Sequence, residues 1–323
     1  MSGDEARFCD RTYDFDGATG ALLSIPSANP INHHQAITDP TGCEPIDLDA
    51  RLFVPTPNGD ELPATVIMVP GSLGVAPNHE QHAETLFRAG FAVCLLDPFG
   101  PRSVTSTVAQ QTQYSFAASA FDVLATLRVL RARPELDAER IGAQGHSRGG
   151  SAVTTAAHRR FADPIVGPDV ALAAVYAVYP WCGQQFLDAD IGPTRYRAII
   201  GDRDEWCSVQ EVQAQVNALR QQGPQASVRV VSGGAHSFDR FEELHTIAEA
   251  SVAPTAPTVM LADDGAMILP QVGEPDPNTT DRDAFVAAIE AGHGRRGAAI
   301  GGVGHQPALF KSDMVEFHQF WSR

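Results

Sequence analysis

The stretch Arg140–Ala157, RIGAQGHSRGGSAVTTAA, decides how this chain is read. Arg140–Gln144 reads as a strand. It runs into the turn Gly145-His146-Ser147-Arg148-Gly149, and small residues suited to a helix follow to about Arg160. Gly-x-Ser-x-Gly between a strand and a helix is the pattern of a nucleophile elbow. The reason is steric. A serine at such a turn holds a strained backbone conformation, and glycines two residues to either side let strand and helix close on one another. The hydroxyl is then exposed, and the amide of the next residue, Arg148, points where negative charge would develop. A glycine-rich turn alone would explain the same letters without chemistry. The strand–turn–helix setting makes Ser147 the expected nucleophile.

Outward from this turn, Thr65–Val69, Phe91–Leu96, Ala171–Val178, Tyr196–Ile200 and Ser227–Val231 read as buried strands. His79–Ala89, Gln110–Arg131 and Ser208–Gln222 read as helices. Strands alternating with helices of this length predict an α/β chain, with a mainly parallel central sheet and helices on both faces. Asp47–Val54 also reads as a strand. With Ala64–Val69 it suggests an early pair of strands about the turn Pro57-Asn58-Gly59-Asp60. After Phe238 the rhythm changes. Thr258–Leu261 and Met267–Leu269 flank a hairpin signal at Ala262-Asp263-Asp264-Gly265, and helices are expected at Asp283–Ala291 and Pro307–Trp321. The expected organisation is one domain over 1–323, with 1–45 as an N-terminal extension and 239–306 as an insertion before the final helix. No internal repeat is visible.

A serine hydroxyl needs a base to attack, and in this kind of site the chain order is serine, acid, histidine. Two loops supply those residue types: Gly201-Asp202-Arg203-Asp204-Glu205 and Gly233-Gly234-Ala235-His236-Ser237-Phe238. Each follows an apolar strand, so both should lie with Ser147 at the carboxyl edge of the sheet, where ligand sites gather. Asp204 is favoured over Asp202 and Glu205 because it stands far enough past the strand end to turn back toward a histidine. His236 is favoured among 11 histidines. His33, His34, His79 and His82 precede Ser147. His146 lies inside the elbow and points away, and His158 lies in the following helix. His245, His293, His305 and His318 lack a strong strand to deliver them, with His305 the nearest rival. Pro70-Gly71-Ser72-Leu73-Gly74 would supply a second amide to an oxyanion site, from Ser72 or Leu73; the plainer reading is an ordinary strand–helix turn. Arg102, after a strand end, would bind an acidic substrate or brace its loop by ion pairing, and bracing is favoured. Trp181 would line an acyl pocket or pack in the core.

Composition bounds the function. With 43% apolar and 19% charged residues over 323 positions, the chain reads as globular with a sizeable core. A formal net charge of −16 disfavours nucleic acid and anionic lipid as partners. Met1-Ser2-Gly3-Asp4-Glu5 lacks the basic and apolar regions of a signal peptide, and no apolar run approaches the length of a membrane span. The expectation is a soluble, cytoplasmic protein with no membrane partner. Cys9, Cys43, Cys94, Cys182 and Cys207 are sparse and odd in number, without Cys-x-x-Cys, so neither a disulfide framework nor a zinc site is expected. Cys94 reads as a core residue. A bridge between Cys182 and Cys207 stays open, although a reducing compartment disfavours it.

Taken together, Pro70–Gly74, Asp97-Pro98-Phe99-Gly100-Pro101-Arg102, Gly145–Gly149, Tyr179-Pro180-Trp181-Cys182, Gly201–Asp204 and Ala235–Phe238 resemble the dienelactone hydrolase family of the α/β-hydrolase superfamily. The resemblance runs from about residue 45 to 240 and includes the last helix. The spacing of the set is more specific than any one member. It implies an α/β-hydrolase fold, a triad of Ser147, Asp204 and His236, and hydrolysis of small-molecule esters or lactones without cofactor or metal. Two departures point away from dienelactone itself. Members proper carry a cysteine nucleophile where this chain has Ser147, and a glutamate near the oxyanion loop where it has Pro70-Gly71. The same triad serves peptidases, thioesterases and acyltransferases, which a substrate panel separates. A non-catalytic binding protein is the reading from another class, and an ordered triad argues against it.

Overall fold

The computed structural model describes residues 8–56, 61–223 and 225–323. The turn expected at 57–60 lies outside the described residues. The main sheet contains β1 (Ala21–Asn29), β2 (Glu44–Phe53), β3 (Thr65–Val69), β4 (Ala92–Asp97), β5 (Ile141–His146), β6 (Ala174–Val178), β7 (Arg195–Gly201) and β8 (Ala226–Val231). Their spatial order is β1-β2-β4-β3-β5-β6-β7-β8. From β4 to β8 every pairing is parallel. β2 joins β4 and β1 antiparallel. Strands β3 to β6 are buried at every position, as strands covered on both faces must be.

The helices are α1 (His33–Thr38), α2 (Pro77–Arg88), α3 (Phe116–Arg131), α4 (Arg148–Ala157), α5 (Arg159–Val166), α6 (Val209–Gln222), α7 (Asp281–Glu290) and α8 (Gln306–Trp321). α3, α4 and α5 pack on one another, and α2 packs with α8. The expected α/β architecture is therefore present, with three corrections. First, β2 does not pair with β3. It pairs with β1 along Glu44–Leu52 and with β4 along Asp49–Phe53, while the fully buried β3 sits between β4 and β5. β1 itself falls in the stretch read as an N-terminal extension.

Second, the helix expected from Gln110 starts at Phe116, where the Ser115 hydroxyl accepts from the Ala118 amide and caps it. Third, the helix after Ser147 is broken at His158, whose extended backbone separates α4 from α5. The hairpin about Ala262–Gly265 forms as expected, with Leu261 opposite Met267. His245–Val252 pairs antiparallel with Arg295–Ile300. The bridge left open between Cys182 and Cys207 is not formed; both are buried thiols. No described helix is long and apolar enough to cross a membrane.

Candidate active site

Ser147 joins β5 to α4 at φ 53° and ψ −115°, a conformation that L-residues rarely adopt. Its amide donates to Val178 O at the end of β6, at 2.8 Å. Both flanking glycines are required sterically. A Cβ on Gly145 would overlap the Gly149 carbonyl, and one on Gly149 would overlap the Val69 and Pro70 carbonyls. The elbow thus ties together the ends of β5, β6 and β3.

The loops after β7 and β8 bring Asp204 and His236 to the same edge. His236 Nδ1 lies 2.7 Å from Asp204 Oδ2, and its Nε2 lies 3.0 Å from Ser147 Oγ. With Nδ1–H donated to the carboxylate, Nε2 accepts from the serine hydroxyl. Asp204 Oδ1 accepts from the amides of Trp206 and Cys207, at 2.8 and 2.9 Å. The imidazole is held between two rings. Trp206 stacks on it with centroids 5.2 Å apart, and Tyr179 lies 4.5 Å away. The rival residues are engaged elsewhere: Asp202 accepts from the Gly233 amide, Glu205 accepts from the Ala299 amide, and His305 is exposed before α8.

Behind the serine lies a buried polar cluster. Asp239, three residues after His236, accepts from Asn78 Nδ2 at 2.9 Å, His82 Nε2 at 2.7 Å and Tyr179 Oη at 2.8 Å. Burial by itself would raise the Asp239 carboxyl, but the hydrogen bonds and charge of its partners outweigh it and hold the carboxyl well below the usual range. Burial pushes the His146 imidazole down to about 3, so it is neutral near pH 7. Two groups of described residues bring potential cation ligands within 4.8 Å of one another: His82, His146 and Asp239, and Asp204, Cys207 and His236. In each, a histidine already hydrogen-bonds the carboxylate directly, so the donor set is consistent with a proton-linked network.

Ser147 opens onto a cavity of about 590 Å³, within the range of small-molecule sites. Ser72, Arg148 and Trp181 line it. Trp181 also packs 4.5 Å from Phe116, so the pocket and packing readings both describe it. Ser72 is buried, and its carbonyl accepts from the Thr107 amide and the Ser106 hydroxyl; Leu73 is partly exposed beside it. A Cβ built on Gly71 would stand 3.3 Å from Ser147 Cβ, which shows how closely this loop approaches the elbow.

Arg102 does not line the cavity. Its buried guanidinium grips Asp122 through two hydrogen bonds and also reaches Asn29 Oδ1 and Pro98 O. Those contacts are the bracing that the sequence favoured for Arg102, and they occupy its donors.

Several residues escape a reading of the sequence. The Arg148 side chain donates to the Gln111, Tyr114 and Ser115 carbonyls and to Ser119 Oγ, fastening the loop before α3 to the elbow. Trp206 and Asp239 are equally silent in sequence. Trp206 follows the acid loop closely enough to be a candidate, but nothing there says that its ring turns back over the histidine.

A model of the dienelactone hydrolase family matches residues 48–254, which include all three residues of this hydrogen-bonded chain. No curated protein sequence is significantly similar to the chain. Among solved structures, dienelactone hydrolase from Anabaena variabilis is 19% identical, with 68% of this chain and 88% of that one covered and a TM-score of 0.45. The Pyrococcus furiosus esterase Pf2001 is 16% identical, covering 67% and 85%, with a TM-score of 0.46. Thermogutta terrifontis esterase 2, in a form phosphorylated by paraoxon, is 13% identical, covering 74% and 90%, with a TM-score of 0.50. At 13% identity the likeness to the Thermogutta terrifontis esterase speaks to the fold alone. The family match spans more than half the sequence and takes in the elbow, the acid loop and the histidine loop, so this chain belongs to the dienelactone hydrolase family.

Proposed function

We propose that the protein hydrolyses carboxylic esters or lactones through an acyl-enzyme on Ser147. The observation that carries this reading is the 3.0 Å contact of Ser147 Oγ with His236 Nε2, backed by the 2.7 Å contact of His236 with Asp204. Ser147 Oγ attacks the carbonyl carbon while its proton passes to His236 Nε2. The Asp204 carboxylate stabilises the imidazolium and keeps the ring oriented. Negative charge on the carbonyl oxygen is met by the Arg148 amide, one of the unpaired N–H groups at the start of α4, and by the amide of Ser72 or Leu73. The C–O bond breaks and the alcohol leaves with the proton from His236. Water then gives a proton to His236 and attacks the acyl carbon, and Ser147 regains its proton as the acid departs.

Two measurements test this. A Ser147→Ala variant should lose about 10⁴- to 10⁶-fold in kcat on p-nitrophenyl esters. A fluorophosphonate probe should add its mass to the peptide containing Ser147 and to no other. Full esterase activity in the variant, or no adduct at Ser147, overturns the reading.

A further inference from the structure

The cavity beside Ser147 is two kinds of surface. Its walls are largely apolar, with Phe116, Trp181, Trp206, Val252, Val259 and Phe285 among them. Among the described residues its charged lining is mostly acidic: Glu211, Asp281 and Glu290, against Arg148 and His293. Arg148 is not available to an anion, and His293 has one ring nitrogen engaged. Arg148 directs its guanidinium into three hydrogen bonds with the loop before α3 and one with Ser119 inside that helix, and lies over the rings of Tyr114 and Phe116. His293 Nδ1 is paired with the Thr255 hydroxyl.

The acids differ among themselves. Asp281 is buried and satisfied by the Phe116 amide and Gln184 Nε2, both at 2.7 Å. Glu290 is exposed at the rim. Glu211, on the first turn of α6, lines the cavity, and its carboxylate accepts from the Thr258 hydroxyl at 3.3 Å. A carboxylate on a bound substrate would therefore enter a largely apolar space whose described acids outnumber its bases and whose guanidinium is already engaged, and it would lose much of its hydration without a matching counter-charge.

We propose that this cavity selects uncharged, apolar esters or lactones and rejects those that carry a carboxylate, with Glu211 as the residue that sets the preference. This rests on the reading of Ser147 as nucleophile, since it concerns the substrate of the same site. Burial raises the Glu211 carboxyl to about 7, so it is substantially ionised in mildly alkaline buffer. Cys182 and Cys207, which feel its charge, are thiols that burial holds protonated.

The test uses a matched pair: the mono-p-nitrophenyl ester of adipic acid, and the p-nitrophenyl ester in which an isopropyl group replaces its free carboxylate. At about pH 8 the wild-type kcat/KM should favour the uncharged ester by about a hundredfold. Glu211→Gln should narrow that ratio by about tenfold, and Glu211→Asp should restore it. A wild-type ratio near one, or a ratio that Glu211→Gln leaves unmoved, overturns the proposal. Affinity of the pair for Ser147→Ala, read by quenching of Trp181 and Trp206 fluorescence, reports the same preference without chemistry. Loss of hydrolysis of both esters in the wild type would count against the nucleophile. Equal affinity of both for Ser147→Ala would count against the cavity.

Discussion

Asp204 takes three donors, the His236 ring and the Trp206 and Cys207 amides, so both of its oxygens are committed and its orientation is set. An amide in its place offers an N–H where the imidazole needs an acceptor. Asp204→Asn should therefore lower kcat by about 10⁴-fold. Steady-state kinetics beside a thermal melt checks this, and a variant that melts like the wild type yet keeps its kcat contradicts it. The choice of Asp204 over Asp202 and Glu205 was legible from its distance past Gly201, because a carboxylate must clear the strand end before it can turn back. The Trp206 ring over His236 was not legible, because two residues of loop can deliver a side chain to either side. Ser147 was the most legible residue of all, since only glycines at 145 and 149 relieve the overlaps that the turn creates.

Asp239 ties the loop carrying His236 to α2, through Asn78 and His82, and to the end of β6, through Tyr179. Removing its charge leaves three buried donors facing an amide. Asp239→Asn should cost about 3 kcal/mol of stability near pH 7. The sign of the pH dependence follows from its depressed carboxyl. A carboxyl held below its unfolded value stabilises above that value and loses the contribution as pH falls through the folded one, so the gap between variant and wild type should shrink below about pH 4. Urea titrations across that range measure it, and a gap that widens on acidification would count against the network. The elements themselves were mostly readable from apolar runs, with ends displaced by a few residues. α3 is the instructive exception. Read from sequence it begins at the polar run Gln110–Gln113, but the Ser115 cap starts the helix and the Arg148 guanidinium holds the preceding carbonyls in a loop.

Across the whole molecule, the segment 239–306 reaches back to the acid and base loops. Trp206 Nε1 donates to Ala299 O, the Ala299 amide to Glu205, and the Gly301 amide to His236 O. The same segment supplies Val252, Val259 and Phe285 to the cavity wall. Burying Glu211 beneath that wall has a global consequence. Its carboxyl rises from 4.5 to about 7 on folding. Below the lower value it is protonated in both states; between the two the unfolded chain ionises first, and stability falls as pH rises until the penalty levels off above the folded value. Glu211→Gln should therefore raise stability at about pH 8 by on the order of 1–2 kcal/mol and much less at about pH 5. Thermal melts at the two pH values check it, and an equal shift at both would refute the linkage. By itself the sequence determined the alternation of strands and helices, the elbow, and the serine, acid and histidine in their order, because each rests on local sterics or on a short run of residue types. Tertiary structure alone decided that β1 closes the sheet edge, that Arg102 pairs with Asp122, and that apolar and acidic walls meet beside Ser147. Those outcomes depend on contacts between segments far apart in the chain, whose pairing no local pattern encodes.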